Sequence, residues 1–245
     1  MDASPLGSVD KALLALDTLA GFGARGASLA ALAQAVGVSK PTLHRTLAAL
    51  RHRGYAEQTP EGAYRLGPAA LALGSSYLAE ENLPALLHPA LTALSEKTDE
   101  LVHLGVLAGR EVVYLDKVEP QRAVRVWSAV GRRRAAATTA LGRALLSVQE
   151  LDEAALARFA GDEARPGRLR EALAAARLAG IAGETEENEP GIACIAIPLL
   201  RSGRAVAAVS ITAPVERLTG TARADRVAAL REILPPLLPA GLTTP

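Results

Sequence analysis

One cysteine, Cys194, stands in the whole chain, so no internal disulfide can brace the fold. Histidine is scarce and scattered: His44, His52, His88 and His103 have no metal-ligand spacing. No apolar run approaches the ~20 residues of a membrane span, and the first residues lack the pattern of a secretion signal. The expectation is a cytoplasmic chain with no membrane partner. No phosphate-cradling glycine loop or Ser-His-Asp set is present, so neither cofactor nor metal is expected. An excess of one charge is also missing. With 27 Lys and Arg against 26 Asp and Glu, the net charge is +1. A uniformly basic surface is thereby excluded, but a local basic face is not, because the partition of charge matters more than the total.

What remains is ample length and apolar content. The 245 residues, 49% of them hydrophobic, suffice for two modest domains. Residues 8–21 read as a helix with Val9, Ala12, Leu13, Leu16, Leu19 and Ala20 as its inward stripe. Ser28 caps a short second helix that Gly37 breaks, and Ser39 caps a third, with Pro41 in its first turn and Leu43, Leu47 and Leu50 inward. Tyr55–Gln58 and Ala63–Leu66, around Thr59-Pro60-Glu61-Gly62, then read as a hairpin. Three helices and a hairpin describe a winged helix-turn-helix over residues 1–66. Residues 67–83 predict a linking helix, and residues 84–245 a second domain. There the pattern gives a hairpin over 101–107 and 112–118, a third strand at 123–130, and helices at 139–148, 151–160 and 167–179. A second hairpin follows at 192–199 and 205–213, and a last helix at 221–234. The tail from Pro235 to Pro245, with four prolines, reads as frayed. Strands at both ends with helices between suggest an antiparallel sheet flanked by helices, so the fold class is α+β.

In a helix-turn-helix the third helix offers short and basic side chains to the major groove. At 100° per residue, Pro41, Thr42, His44, Arg45, Ala48, Ala49 and His52 lie away from Leu43. Arg45 suits a guanine edge or a phosphate, and Thr42 and His44 suit either task. Ser39 and Thr42 can hold a phosphate on free helix N–H groups. Lys40, Arg51, Arg53 and Arg65 are natural phosphate contacts. The competing reading is a small helical domain with a solvated polar face.

These residues resemble the IclR-type regulators. The resemblance rests on Ser8-Val9-Asp10-Lys11-Ala12-Leu13, on Val36 through Arg45, on Leu50 through Tyr55 and on Tyr64-Arg65-Leu66-Gly67. Val112 through Val118 and Glu186 through Ala196 extend it into the second domain. It implies a GAF-like effector-binding domain, a homodimer or homotetramer, a palindromic operator in double-stranded DNA, and operator affinity set by a small-molecule effector. Its sign, repression or activation, does not carry over.

The residues point to the Gly131–Ala144 segment as a pocket, because Thr138 or Thr139 opens a helix behind small side chains and such a start attracts anions. The resemblance implies that a small organic or aromatic acid would contact Ala140, Leu141, Glu184, Cys194 and Ser210. Glu184 stands where an Asp is often found, and Ala137 where many members have His. The residues alone leave Cys194 either a core thiol or a pocket wall. Arg132-Arg133-Arg134 reads as a solvated turn, and His103 as structural. Two rivals stand beside the regulator. One is an enzyme acting on a small acid through Cys194 or Glu184, which lacks a recognisable base constellation. The other is a winged helix used for protein contacts without DNA.

Overall fold

The computed structural model describes residues 7–80, 82–122, 126, 128–161 and 164–245, with the backbone alone for residues 76–80. Contacts divide the chain into two compact units between Asn82 and Leu83.

The first unit begins with α1 (Gly7–Phe22), α2 (Leu29–Val36) and α3 (Lys40–His52). Ser28 Oγ accepts from Ala31 N at 3.2 Å and Ser39 Oγ from Thr42 N at 3.4 Å, so each cap satisfies an amide that the helix start leaves open. Between them Gly37 takes φ 73° and ψ 29°, a left-handed conformation open to glycine at little cost. This sets the turn between α2 and α3. Leu32, Leu43 and Leu47 are buried against Ala15 and Leu19 of α1. The wing is the antiparallel pair β1 (Ala56–Gln58) and β2 (Tyr64–Leu66), and α4 (Pro68–Glu80) follows.

One expectation fails here. Of the stripe expected to face inward on α1, Val9 and Leu13 are 52% and 58% exposed and Ala20 is exposed as well, as are Leu14 and Phe22. Ala12, Ala15, Leu16 and Leu19 face the core instead. The helix is apolar at so many positions that its periodicity has no clear phase.

The second unit holds, among the described residues, a six-stranded antiparallel sheet in the order β5-β4-β3-β8-β7-β6. Its strands are β3 (Leu101–Ala108), β4 (Glu111–Val118), β5 (Arg133–Ala135), β6 (Ala182–Thr185), β7 (Ile192–Arg201) and β8 (Arg204–Pro214). Helices α5 (Leu83–Thr98) and α9 (Gly220–Leu237) cover one face. On the other lie α6 (Ala140–Ser147) and α8 (Pro166–Ala179), with α7 (Glu153–Ala160) packed on α8. Alternate residues of β7 and β8 serve the two cores: Ile195, Ile197, Val209 and Ile211 face α5 and α9, whereas Ala196 and Ala208 face α6. Strands covered on both faces read as nearly unbroken apolar runs. A fully buried Glu100 ties the start of β3 to the approach to α9, donated to by Arg217 at 2.9 and 2.7 Å.

Three further expectations change. Among the described residues the strand that follows β4 is β5. Residues 123–125 and 127 lie outside the described residues, and residues 126 and 128–130 are not strand. The chain turns first: Gly131 N bonds Tyr114 O at 2.7 Å, so it is the segment after the turn that runs beside β4. Strand β6 was not anticipated. The tail is not frayed: α9 continues through Pro235 and Pro236 to Leu237, Leu242 is buried, and Thr243 exchanges two backbone hydrogen bonds with Leu200. Proline forbids a donated hydrogen bond but not a docked chain. Among the described residues no helix is long and apolar enough to cross a membrane.

Candidate functional site

Two regions gather the residues singled out above. In the first unit, α3 presents Lys40, Pro41, His44, Arg45, Arg51 and His52 exposed, with Thr42 half-buried beneath them. A shallow concavity at the start of the helix is lined by Leu29, Lys40, Pro41, His44 and Arg45. Ser39 and Thr42 share a hydroxyl–hydroxyl hydrogen bond of 2.9 Å at the cap. Arg51 Nη1 donates to Gln58 Oε1 at 3.1 Å, which fastens the end of α3 to the wing. Arg65 donates to Glu57 at 2.5 Å, so the wing cation is partly neutralised. Residues 23–66 hold six basic side chains (Lys40 and Arg25, Arg45, Arg51, Arg53, Arg65) against Glu57 and Glu61, a net +4 within a chain whose total is +1. Local concentration of charge is what a polyanion senses.

In the second unit the α6 side of the sheet carries a polar row. Strand register sets Glu184 beside Cys194 and Cys194 beside Thr212. Ser210 lies next to His103 across β8 and β3. Cys194 Sγ is 3.3 Å from Thr212 Oγ1, and His103 Nδ1 is 3.5 Å from the same hydroxyl. His103 Nε2 meets Ser128 Oγ at 2.7 Å, and its ring stacks on Tyr114 with centroids 4.7 Å apart. His103, Tyr114, Ser128, Cys194 and Thr212 line a cavity of about 20 Å³, room for about one water. Arg132 and Arg134, read above as a solvated turn, line it too, beside Asn188 and Glu189.

Electrostatics keep three groups of this row and its cavity, His103, Tyr114 and Cys194, uncharged. Burial, aided by Lys117 and Arg132, pushes His103 down to about 3, so the imidazole is uncharged at neutral pH. Burial also drives the Tyr114 phenol and the Cys194 thiol well above their usual ranges, and for Cys194 the neighbouring Glu184 adds to the effect. Glu184 is itself raised by burial, against the opposing pull of Cys194, the Glu187 and Asn188 amides and Arg143. Its Oε2 accepts from those two amides at 3.0 and 3.4 Å, while buried Oε1 has no hydrogen-bond partner among the described residues. Glu187 goes the other way: burial raises it, but Arg143 and Arg168 outweigh burial and hold it below the usual carboxylate range. Buried Arg143 clamps Glu187 through both nitrogens, at 2.9 and 2.6 Å, and donates to Ala137 O and Gly183 O.

Helix α6 starts beside this row. Thr139 caps it, accepting from Gly142 N at 3.1 Å. Ala140 and Leu141 are buried in its first turn, and Leu141 approaches Gly105 of β3. The structure thus brings Glu184 and Cys194 onto one row, with Ser210 on the same sheet face and Ala140 and Leu141 on the helix above it. Sequence reasoning missed His103, Ser128 and Thr212 as members of this site. The one available signal was a lone histidine inside the apolar run of β3.

Chemically the row is suited to binding. A thiol kept protonated is a poor nucleophile, and an imidazole with so low a pKa is a weak general base. A set of neutral donors and acceptors around a small cavity can instead orient a polar ligand.

Residues 8–60 match the IclR helix-turn-helix domain, and residues 75–234 match the family described as bacterial transcriptional regulator IclR C-terminal. Among similar proteins is the HTH-type transcriptional regulator XynR of Escherichia coli (strain K12), 35% identical over 225 residues that cover 86% of this chain and 87% of that one. The crystal structure of the Thermotoga maritima IclR superposes with a TM-score of 0.63 at 26% identity, covering 92% of this chain and 95% of that one. An IclR homolog from Microbacterium hydrocarbonoxydans, crystallised with 4-hydroxybenzoate, shares the fold with a TM-score of 0.71 at 22% identity, covering 91% and 95%. With both units matched in order, this chain belongs to the IclR family of DNA-binding bacterial transcriptional regulators.

Proposed function

We propose that this regulator binds a small organic acid at the cavity lined by His103, Tyr114, Ser128, Cys194 and Thr212, where of the expected effector residues Cys194 alone forms a wall, and that occupancy changes its affinity for a palindromic operator. The observation that carries the acid reading is the polar row on the sheet face that α6 covers, where Glu184 and Ser210 are buried, Cys194 is half-buried, and Ala140 and Leu141 open the helix. A helix N-terminus favours a carboxylate, and the neutral hydroxyls and imidazole supply orientation. The 4-hydroxybenzoate complex of the Microbacterium protein indicates that the shared fold can hold an aromatic acid. The raised thiol of Cys194 and the weak base His103 favour binding over turnover, so we read the chain as a sensor and not an enzyme.

On the DNA side we assign base reading to Thr42, His44 and Arg45, phosphate contacts to Ser39, Lys40, Arg51 and Arg65, and a place for Pro41 on the same groove-facing surface. Exposure of the α3 face supports this assignment. Val9, Leu13, Leu14 and Phe22 leave apolar surface on α1, and covering it in a homodimer, or a homotetramer of dimers, suits a two-fold operator.

The test is fluorescence anisotropy of the full-length protein on DNA upstream of its own gene, against random DNA, at two salt concentrations. Specific binding that weakens steeply with salt is expected. Addition of the effector acid should shift it, and Cys194→Ser and Glu184→Ala should change that dose–response while leaving acid-free DNA binding intact. Unchanged dose–response in both variants removes the pocket assignment.

A further inference from the structure

The small cavity and a wider polar hollow on the surface of the same domain share two walls, Arg134 and Asn188. The hollow runs along Ala135 and Thr138, the segment that leads into α6. These two side chains therefore stand where the buried row meets solvent.

The charges at this junction are mostly spoken for. On the hollow side, Glu187 is held by Arg143 and Arg168, and Glu111 lies 3.6 Å from Arg133. Arg134 differs. Its guanidinium donates one long hydrogen bond, 3.3 Å, to the Arg133 carbonyl, and no carboxylate among the described residues pairs with it. On the cavity side Arg134 stands in the wall with Arg132 and Glu189, and His103 is neutral. Arg134 thus places a guanidinium with no carboxylate bonded to it, among the described residues, where the cavity meets the hollow. A charge so placed, beside low-dielectric walls, attracts an anion more strongly than the same charge in open water. The planar donor fork of arginine suits a carboxylate in particular. Asn188 adds an amide at the rim, and its backbone N–H already bonds Glu184.

Granted the acid-sensing reading above, we infer that Arg134 and Asn188 form the mouth of the effector pocket and that Arg134 supplies the charge selecting a monoanionic acid over its neutral analogue.

The experiment is calorimetric titration of the full-length protein with pyruvate, lactate, benzoate and gluconate, each beside its primary amide. The expected result is that at least one acid binds and its amide binds far more weakly. Arg134→Gln should then weaken the acid about tenfold, equivalent to about 1.4 kcal/mol, flatten its salt dependence and leave the amide unchanged. Arg134→Lys should recover part of the loss, since it restores the charge without the fork. An unaltered dissociation constant for the acid in Arg134→Gln overturns the role of Arg134 alone. Failure of every acid to bind the wild type, or equal binding of acid and amide, overturns the acid reading and this inference with it.

Discussion

Gly142 offers a sharp test of how α6 is seated. Alanine in a helix is ordinarily better than glycine by about 1 kcal/mol, so Gly142→Ala should stabilise if the helix were free. The structure demands the opposite sign. A Cβ at this position would stand 2.2 Å from Ala136 O and 2.3 Å from Ala136 Cα, both backbone atoms. The Ala136 segment cannot yield cheaply. Ala136 N bonds Arg110 O at 2.9 Å, Ala137 O accepts from Arg143 at 2.9 Å, and Ala135 O accepts from Thr139 at 3.1 Å. Overpacking of this kind costs about 1–3 kcal/mol, and a pair of broken internal hydrogen bonds adds about 2 kcal/mol. Less the propensity gain, a net loss of about 2–4 kcal/mol is expected. With a urea slope of about 2 kcal/mol/M, the midpoint followed by far-UV circular dichroism should fall by about 1–2 M. Gly167 in the same domain is the control. It is exposed at the start of α8 and its added Cβ would meet nothing within 4 Å, so Gly167→Ala should hold or raise the midpoint. A Gly142→Ala midpoint equal to or above wild type would refute the close seating of α6 on its preceding loop.

Three other outcomes follow from the geometry. Arg45→Ala should weaken operator binding by about 1–3 kcal/mol without altering acid binding, and simultaneous loss of both would contradict the division into separate reading and sensing units. His103 has a folded pKa near 3 against an ordinary 6.5; its depressed value contributes stability present above pH 6.5 and lost as pH falls toward 3. His103→Asn should therefore flatten the decline in urea midpoint between pH 6 and pH 4, and an unchanged slope would show that another group titrates. Cys194, raised by burial and by Glu184, should resist iodoacetamide at pH 8 in the folded protein and react once urea unfolds it; prompt alkylation of the native chain would place the thiol in a different environment.

Legibility in the sequence followed the strength of local signals. Helices α2 and α3 were readable because Ser28 and Ser39 cap them and Leu43, Leu47 and Leu50 repeat at helical spacing. The inward face of α1 was not, since an almost continuous apolar run carries no phase. Strand β5 is Arg-Arg-Ala and β6 is Ala-Gly-Glu-Thr, and only Thr185 among these seven residues has the branched or aromatic character that marks a strand. The polar row was hidden by a different cause. Counted back from the Arg201–Arg204 turn, Cys194 would pair with Ile211. The register shift between Leu199 and Leu200 moves it by one, to Thr212. A one-residue slip exchanges the faces of a strand, so no count along the sequence could place Cys194, Thr212 and His103 together.

The size of the cavity bears on how sensing could reach the DNA-binding unit. About 20 Å³ accommodates a water and not a carboxylic acid of several heavy atoms. An acid can enter only if a wall moves, and a ligand shifts an equilibrium only by its differing affinity for the two arrangements. The sheet side of the cavity is poorly placed to give way, because His103 and Thr212 lie on strands packed on both faces. The segment behind α6 is pinned by the close contact of Gly142 with Ala136. What remains is the rim at Arg134 and Asn188. Asn188 is the next residue to Glu187, and Glu187 is clamped by both terminal nitrogens of Arg143 on α6. On the acid-sensing reading, displacement of that rim pulls directly on α6 through a buried ion pair.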